Sequence, residues 1–327
     1  MRSCIAVLAA LLTLSGAGHA QETSTEKPIA VLLAAGDISK CGSKGRDEAS
    51  ADILLAEVDK AREAGTELFI LALGDLAYDN GTKADFECFA RSWGREELYP
   101  RLRPVPGNHE YSKYKDAKPY FEFFSNLTYV HENRERGGYY AFDVGGGAVA
   151  EWRIYAINSY AGVDASAAQT RWLMEDLEAS DTPCVLAFWH PFLFSSGHHG
   201  HRRSDDPKAP VARGAMMLDM FKLLHQNGAS LVLSAHEHAF EQFGRHDVDG
   251  RTQADGVRSF VVGTGGAPLY RNVRYLNRAP SSEFYNQDTH GVLRIELYSK
   301  RYEWSFVSIA GSSPLLLEPR ADSCNAR

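Results

Sequence analysis

Five short apolar runs in this chain each end in a cluster of polar, metal-capable residues. That repetition limits what the chain can fold into more than any other feature. The last run is the clearest. Ala229-Ser230-Leu231-Val232-Leu233 has the apolar continuity of a buried strand and leads into Ser234-Ala235-His236-Glu237-His238. Histidines at i and i+2 of an extended backbone point to the same side. His236 and His238 can therefore serve one metal ion or two adjacent ones. Four earlier runs end in the same way, at Asp37, at Asp75 with Tyr78, at Asn108 with His109, and at His190. Each alone has an ordinary reading. Gly-Asp after a strand is a common turn or helix cap, and a buried tyrosine needs only a satisfied hydroxyl. Five such coincidences in one chain are not ordinary.

The segments between the runs read as helices and loops. Residues 47–64 place Ala49, Ile53, Leu54, Val58 and Ala61 on one stripe and stop at Gly65, the signature of an amphipathic helix. That helix separates strands at 29–35 and 68–73, which makes a βαβ unit. A short helix is expected near 84–92 and a strand at 102–105. Residues 111–136 are aromatic and charged without a clear period, and read as helix plus loop. Residues 139–144 and 152–157 read as an antiparallel pair around Gly145-Gly146-Gly147. Helices are expected at 166–179 and 216–226, and strands at 184–189, 257–262, 292–297 and 302–309. Alternating elements followed by hairpins call for an α/β (α+β) fold, a four-layer α/β/β/α sandwich of two mixed sheets flanked by helices. Ligands of such sheets gather at the carboxyl ends of strands, where every polar cluster falls. No repeat or Pro-rich linker interrupts the pattern, so residues 21–327 are expected to form one catalytic domain.

Of the 327 residues 44% are hydrophobic and 24% charged, enough for a full core. A net charge of -7 and a pI near 6.0 argue against a general binder of nucleic acid or anionic membrane. An anionic substrate remains open if metal ions supply local positive charge. Residues 1–20 read as a secretory signal: Arg2, an apolar run at 5–14, and the cleavage pattern Gly18-His19-Ala20. The run is too short to span a bilayer. The expected location is therefore secreted or periplasmic, with no membrane anchor. Cys41, Cys88, Cys184 and Cys324 remain after cleavage. An even count in an exported chain suggests two disulfides, with three possible connectivities. Cys41–Cys88 with Cys184–Cys324 is the favoured pairing. Each of the first two closely follows a run that ends in a candidate ligand, and the second pair would tie the tail to a core strand.

In order, the clusters read Gly36-Asp37-Ile38-Ser39, Gly74-Asp75-Leu76-Ala77-Tyr78, Gly107-Asn108-His109-Glu110, Trp189-His190-Pro191 and Ala235-His236-Glu237-His238. That order and those spacings resemble the calcineurin-like metallophosphoesterases, and most closely their purple acid phosphatase branch in a compact, bacterial-type, catalytic-domain-only form. The resemblance implies a two-metal site. Asp37, Tyr78 and His238 would hold one ion, Asn108, His190 and His236 the other, and Asp75 would bridge them. A bridging carboxylate suits two cations ~3.5–4 Å apart. The mixed oxygen and nitrogen donors suit iron, zinc or manganese. With a tyrosinate donor, the implied pair is Fe3+ at the Tyr78 site and Fe2+, Zn2+ or Mn2+ at the second.

His109 follows Asn108 directly and so points elsewhere. The resemblance implies that it steadies the phosphoryl transition state and protonates the leaving oxygen, with Glu110 orienting it. His198 and His199, in Ser195-Ser196-Gly197-His198-His199-Gly200-His201, stand where relatives place phosphate-contacting histidines. Arg202 and Arg203 read as an exposed charge pair. Gly263-Thr264-Gly265-Gly266 lacks phosphate-loop spacing and reads as a turn near the site mouth. Two departures from the family pattern stand out. Ala235 replaces the usual glycine before the His-x-His pair. Ser39 stands where the protein phosphatases and many nucleases of this superfamily carry a metal-binding histidine. The expected function is an exported dinuclear-metal phosphatase, in which a metal-bound hydroxide attacks small phosphate monoesters. The rivals are a phosphodiesterase or nucleotide hydrolase with the same site, and a non-catalytic metal- or phosphate-binding protein.

Overall fold

The computed structural model describes residues 26–327 apart from 43, 148–149, 202–213, 271–276, 313–314 and 316–319. The signal expected at 1–20, and Arg202 with Arg203, lie outside the described residues.

The chain begins with strand β1 (Ala30–Ala35), a short β2 (Ser39–Lys40), helix α1 (Asp47–Ala64), β3 (Glu67–Leu73), a short β4 (Ala77–Tyr78), α2 (Lys83–Arg91) and β5 (Leu102–Val105). The segment without a clear period contains α3 (Lys118–Phe123) and α4 (Thr128–His131). Then come β6 (Tyr140–Val144), β7 (Trp152–Ala156), α5 (Ala168–Ala179), β8 (Cys184–Pro191), α6 (Leu218–Gln226), β9 (Leu231–Ala235), β10 (Phe240–Phe243) and β11 (Arg258–Val262). The chain closes with β12 (Ser282–Asn286), β13 (Gly291–Leu297), β14 (Arg301–Ser308) and β15 (Arg320–Ser323).

Among the described residues, one mixed sheet runs β15-β14-β13-β1-β3-β5 and a second runs β12-β10-β11-β9-β8-β7-β6. The βαβ expectation holds, since β1 and β3 pair in parallel and β5 joins β3 in the same sense. In the second sheet β7, β8, β9 and β11 are parallel neighbours. The two sheets share a core. Leu186 and Phe188 of β8 and Leu231 and Leu233 of β9 lie in one buried cluster with Leu32, Leu33, Ile70 and Leu71 of the first sheet. The alternate residues of β8, Val185, Ala187 and Trp189, pack outward with Leu173 and Leu177 of α5 and Phe221 and Leu224 of α6. This period-two alternation lets one strand serve two layers. Helix α1 covers the outside of the first sheet through Ala51, Leu54, Val58 and Ala61.

Three strands carry no apolar signal in the sequence. β10 is buried throughout although it contains Glu241 and Gln242. Both polar side chains are bonded: Glu241 accepts from Ser196 and Ser282, and Gln242 Oε1 accepts from Trp304 Nε1 at 3.0 Å. β12 and β15 are polar strands, each at one edge of its sheet, where charge guards against stray pairing. The disulfides join Cys41 to Cys88 and Cys184 to Cys324. The second ties the residue after β15 to the first residue of β8. No described helix is long and apolar enough to cross a membrane.

Candidate metal centre

The parallel strands of both sheets end at one edge, and the candidate ligands stand just past those ends. Asp37 follows β1, Asp75 follows β3, Asn108 follows β5, His190 is the last residue but one of β8, and His236 and His238 follow β9. Close approach of the loops requires glycines. A Cβ on Gly107 would fall 2.2 Å from Asp75 Oδ1, and one on Gly74, at φ 86°, 2.7 Å from the His190 Cβ. Asp37, Asp75 and His236 themselves adopt φ of 56°, 51° and 73°. Left-handed backbone at a non-glycine residue costs ~1–3 kcal/mol, and the surroundings must hold it there. They do so through Asp37 Oδ2, which accepts from the His236 N–H at 2.7 Å, and Asp75 Oδ1, which accepts from the His109 N–H at 2.8 Å.

The side chains fall into two groups that share Asp75. In the first, Tyr78 Oη donates to Asp37 Oδ1 at 2.7 Å, lies 3.0 Å from His238 Nε2, and is 3.2 Å from Asp75 Oδ2. In the second, Asp75 Oδ2 is 3.1 Å from His190 Nε2, which is 3.2 Å from His236 Nδ1. One ligand atom each from Asp75, His190 and His236 lies within 4.8 Å of the others. Asn108 Oδ1 is buried and has no hydrogen-bond partner among the described residues.

Three imidazoles are held by main-chain carbonyls at Nδ1: His109 by Asp79 at 2.6 Å, His190 by Leu73 at 2.9 Å and His238 by Pro268 at 2.7 Å. A carbonyl only accepts, so each Nδ1 carries a proton and each Nε2 is turned to the centre. This is the outer-shell arrangement that metal-binding histidines use. Residues of this kind, with an orphaned amide oxygen and two buried carboxylates, fit a pair of cations.

The protonation pattern follows from the same contacts. Burial would raise the Asp37 carboxyl, but His238 and His190 hold it below its ordinary range. Burial likewise opposes Asp75, and His190 lowers it. Burial works against charge on His190, yet Asp75 lifts that imidazole to about 9. His236 moves the other way, to about 3, through burial and the neighbouring His190. Burial and the Asp37 and Asp75 carboxylates push the Tyr78 hydroxyl well above its ordinary value, so it is a neutral phenol donating to Asp37. A cation at that point would compete with the phenol's proton.

The phosphate-contact candidates are placed unequally. His199 stacks on His236 with ring centroids 4.6 Å apart, next to the centre, whereas His198 is exposed and its ring is 5.3 Å from that of His199. Two expectations need correction. Glu110 does not orient His109. It is fully buried, and its carboxylate accepts the N–H groups of Asp75, Leu76, Ala77 and Gly107 at 3.0, 2.9, 3.1 and 2.7 Å. Burial and the Asp75 charge push it up to about 7 against the pull of those donors. The stretch from Gly263 to Gly266 is not at the mouth. It is buried, and a Cβ on Gly263 would fall 1.9 Å from the Glu237 carbonyl and 2.6 Å from Asp37 Oδ2. One neighbour of the centre escapes sequence reasoning altogether. Tyr270 stacks on His238 at 4.3 Å and 9°, from a loop with no motif to mark it.

Comparison with known proteins agrees with this architecture. Residues 25–240 match the family model described as calcineurin-like phosphoesterase, and the chain belongs to that family. The family implies a dinuclear metal centre. Purple acid phosphatase 15 of Arabidopsis thaliana is 28% identical over 230 residues, covering 60% of this chain and 40% of that protein. Purple acid phosphatase 18 of the same plant is 26% identical over 236 residues, covering 67% and 48%. The chain thus spans less than half the length of these two relatives. Among solved structures, purple acid phosphatase PPD1 from yellow lupin (Lupinus luteus) seeds superposes with a TM-score of 0.65 at 16% identity, covering 90% of this chain and 53% of that one. That likeness is one of fold.

Glu110 is the residue whose structural part can be tested without any assay of function. Glu110→Gln replaces an oxygen by an NH2 group that opposes buried N–H donors. Each unpaired donor costs ~1–3 kcal/mol, so a loss of ~2–4 kcal/mol is expected from urea unfolding. An unchanged unfolding midpoint would remove Glu110 from this part.

Proposed function

We propose that this chain is an exported, dinuclear-metal phosphatase of small phosphate monoesters, built as one catalytic domain over residues 21–327. The observation that carries the reading is the pair of side-chain groups sharing Asp75. Asp37, Tyr78 and His238 would hold one ion, Asn108, His190 and His236 the other, and Asp75 Oδ2, which faces both Tyr78 and His190, would bridge them. Bound there, two cations would polarise a phosphoryl oxygen and acidify a water. The signal-like segment at 1–20 and the two disulfides support export.

The remaining chemistry falls to side chains of this protein. His109 is part-exposed, with its Nδ1–H fixed on Asp79 and its Nε2 3.7 Å from Asp75 Oδ2. That nitrogen is close to the centre on a side chain that is 29% exposed, within reach of a substrate. Protonated, it would stabilise the phosphoryl oxygens and give its proton to the departing ester oxygen. His199, stacked on His236, would add a donor to a phosphoryl oxygen, and His198 would do so from the rim. Burial of Asp37 and Asp75 keeps bulk water from competing for the same positions.

A chromogenic phosphate assay across iron, zinc and manganese, at acid and alkaline pH, tests the reading, with metal analysis of Asp75→Ala beside it. Asp75→Ala should lose activity and part of its metal while staying folded. Phosphate release from no ester in the metal-loaded protein would end the enzyme reading, and cleavage of diesters alone would move the substrate class.

His109→Ala should keep its metal, because the side chain is not among the proposed ligands. Turnover should fall ~10²–10⁴-fold, the range for a lost acid–base group. Substrates with good leaving groups should suffer less, since they need less protonation. Equal losses for good and poor leaving groups would leave His109 an electrostatic part only.

Tyr78 makes a test by colour. A hard phenolate oxygen suits a ferric ion, and phenolate-to-iron charge transfer would give the iron-loaded protein a broad visible band. Tyr78→Phe should abolish the band while Asp37, Asp75 and His238 still bind metal. An active, colourless iron protein would take Tyr78 out of the ligand set.

A further inference from the structure

Glu237 stands between the two histidines of the last cluster, and neither the metal reading nor the proton-transfer reading uses it. It lies in the turn that follows β9, where His236 adopts a left-handed φ of 73°. It is fully buried there. A buried carboxylate needs donors, and its donors come from a different loop. Glu237 Oε1 accepts the His198 N–H at 3.0 Å, and Oε2 accepts the His199 N–H at 2.7 Å. The fit is close on the loop side too, since a Cβ on Gly197 would fall 2.4 Å from the Glu237 carboxyl carbon. A second buried carboxylate, Glu241 of β10, anchors the start of the same loop by accepting the Ser196 N–H at 2.8 Å. The His199 ring rests on His236, so the place where the loop is pinned sets where that imidazole stands beside the centre.

From this juxtaposition we propose that Glu237 is a positioning residue, which ties the His198–His199 loop to the His236–His238 turn and so holds both imidazoles for the phosphoryl group of the substrate. The proposal rests on the phosphatase reading for its consequence, but not for the tether itself. Two oxygens meeting two N–H donors explain why a carboxylate is suited to the place. An amide offers one oxygen and one NH2 group, and the latter would oppose a donor. Alanine would leave both donors unpaired.

The test uses the full metal-loaded chain with Glu237→Gln and Gly197→Ala, the second keeping the Glu237 carboxylate but forcing it and the loop apart. Three readouts are taken: metal content, amide hydrogen exchange of a peptide covering 195–201, and steady-state kinetics with an aryl phosphate and with inorganic phosphate as inhibitor. Both variants should keep their metal and exchange faster at His198 and His199. KM and the phosphate inhibition constant should rise about tenfold, the equivalent of one lost charge-assisted hydrogen bond, with a smaller change in kcat. His199→Ala made in the Glu237→Gln background should add little, because both changes remove the same contact. Unchanged exchange in 195–201 would overturn the tether. Faster exchange with unaltered KM and inhibition would overturn its role in holding phosphate. Loss of metal from Glu237→Gln would make Glu237 a support of the ligands instead. A wild-type protein that releases no phosphate would sink the phosphatase reading, while the exchange experiment would still decide the tether.

Discussion

The Tyr78 hydroxyl lies against two buried carboxylates, Asp37 and Asp75, and much of the structure is arranged around that meeting. Like charges away from water are unfavourable unless donors and counter-charges surround them. Here the main chain supplies the N–H groups of His236 and His109, and the imidazoles of His238 and His190 supply the nearest positive charge. Each carboxylate belongs to a different strand of the first sheet, and the histidines His190, His236 and His238 come from the second. The charged centre therefore depends on the two sheets standing face to face, and an error in their packing would leave it unpaired.

Behind the candidate ligands lies a second set of buried acids that touch no proposed ion. Glu110 gathers four N–H groups from the Asp75 and Asn108 loops, and Glu237 and Glu241 gather those of the 195–201 loop. Loops at strand ends have no sheet ladder to satisfy their donors, and these carboxylates take that place. The same loops carry the left-handed residues Asp37, Asp75 and His236. Strain at the ligand positions is offset by hydrogen bonds made to neighbouring loops, so the site is held from outside as well as from within.

The apolar runs ending in polar clusters were legible because a buried parallel strand must be apolar along its length and its ligand must come after it. For that reason β1, β3, β5, β8 and β9 are legible in the sequence, together with Asp37, Asp75, Tyr78, Asn108, His190, His236 and His238 as candidate ligands. β10 is not, because Glu241 and Gln242 look like surface residues until Ser196, Ser282 and Trp304 are seen to bond them. The part of Glu110 was misread for a related reason. Its nearness to His109 in the chain says nothing of the four amides that converge on it from other turns.

By itself, the sequence determined which residues could act as ligands, the main strands in their order along the chain and the family whose motifs it carries. Periodicity and residue chemistry are local properties, and they survive without a fold. Only the tertiary structure decided that Asp75 stands between two groups of side chains, that His199 and not His198 lies on His236, and that Tyr270 covers His238. Those are distances between segments far apart in the chain. They are set by how two sheets pack and where their loops are pinned, and no spacing along the chain contains them.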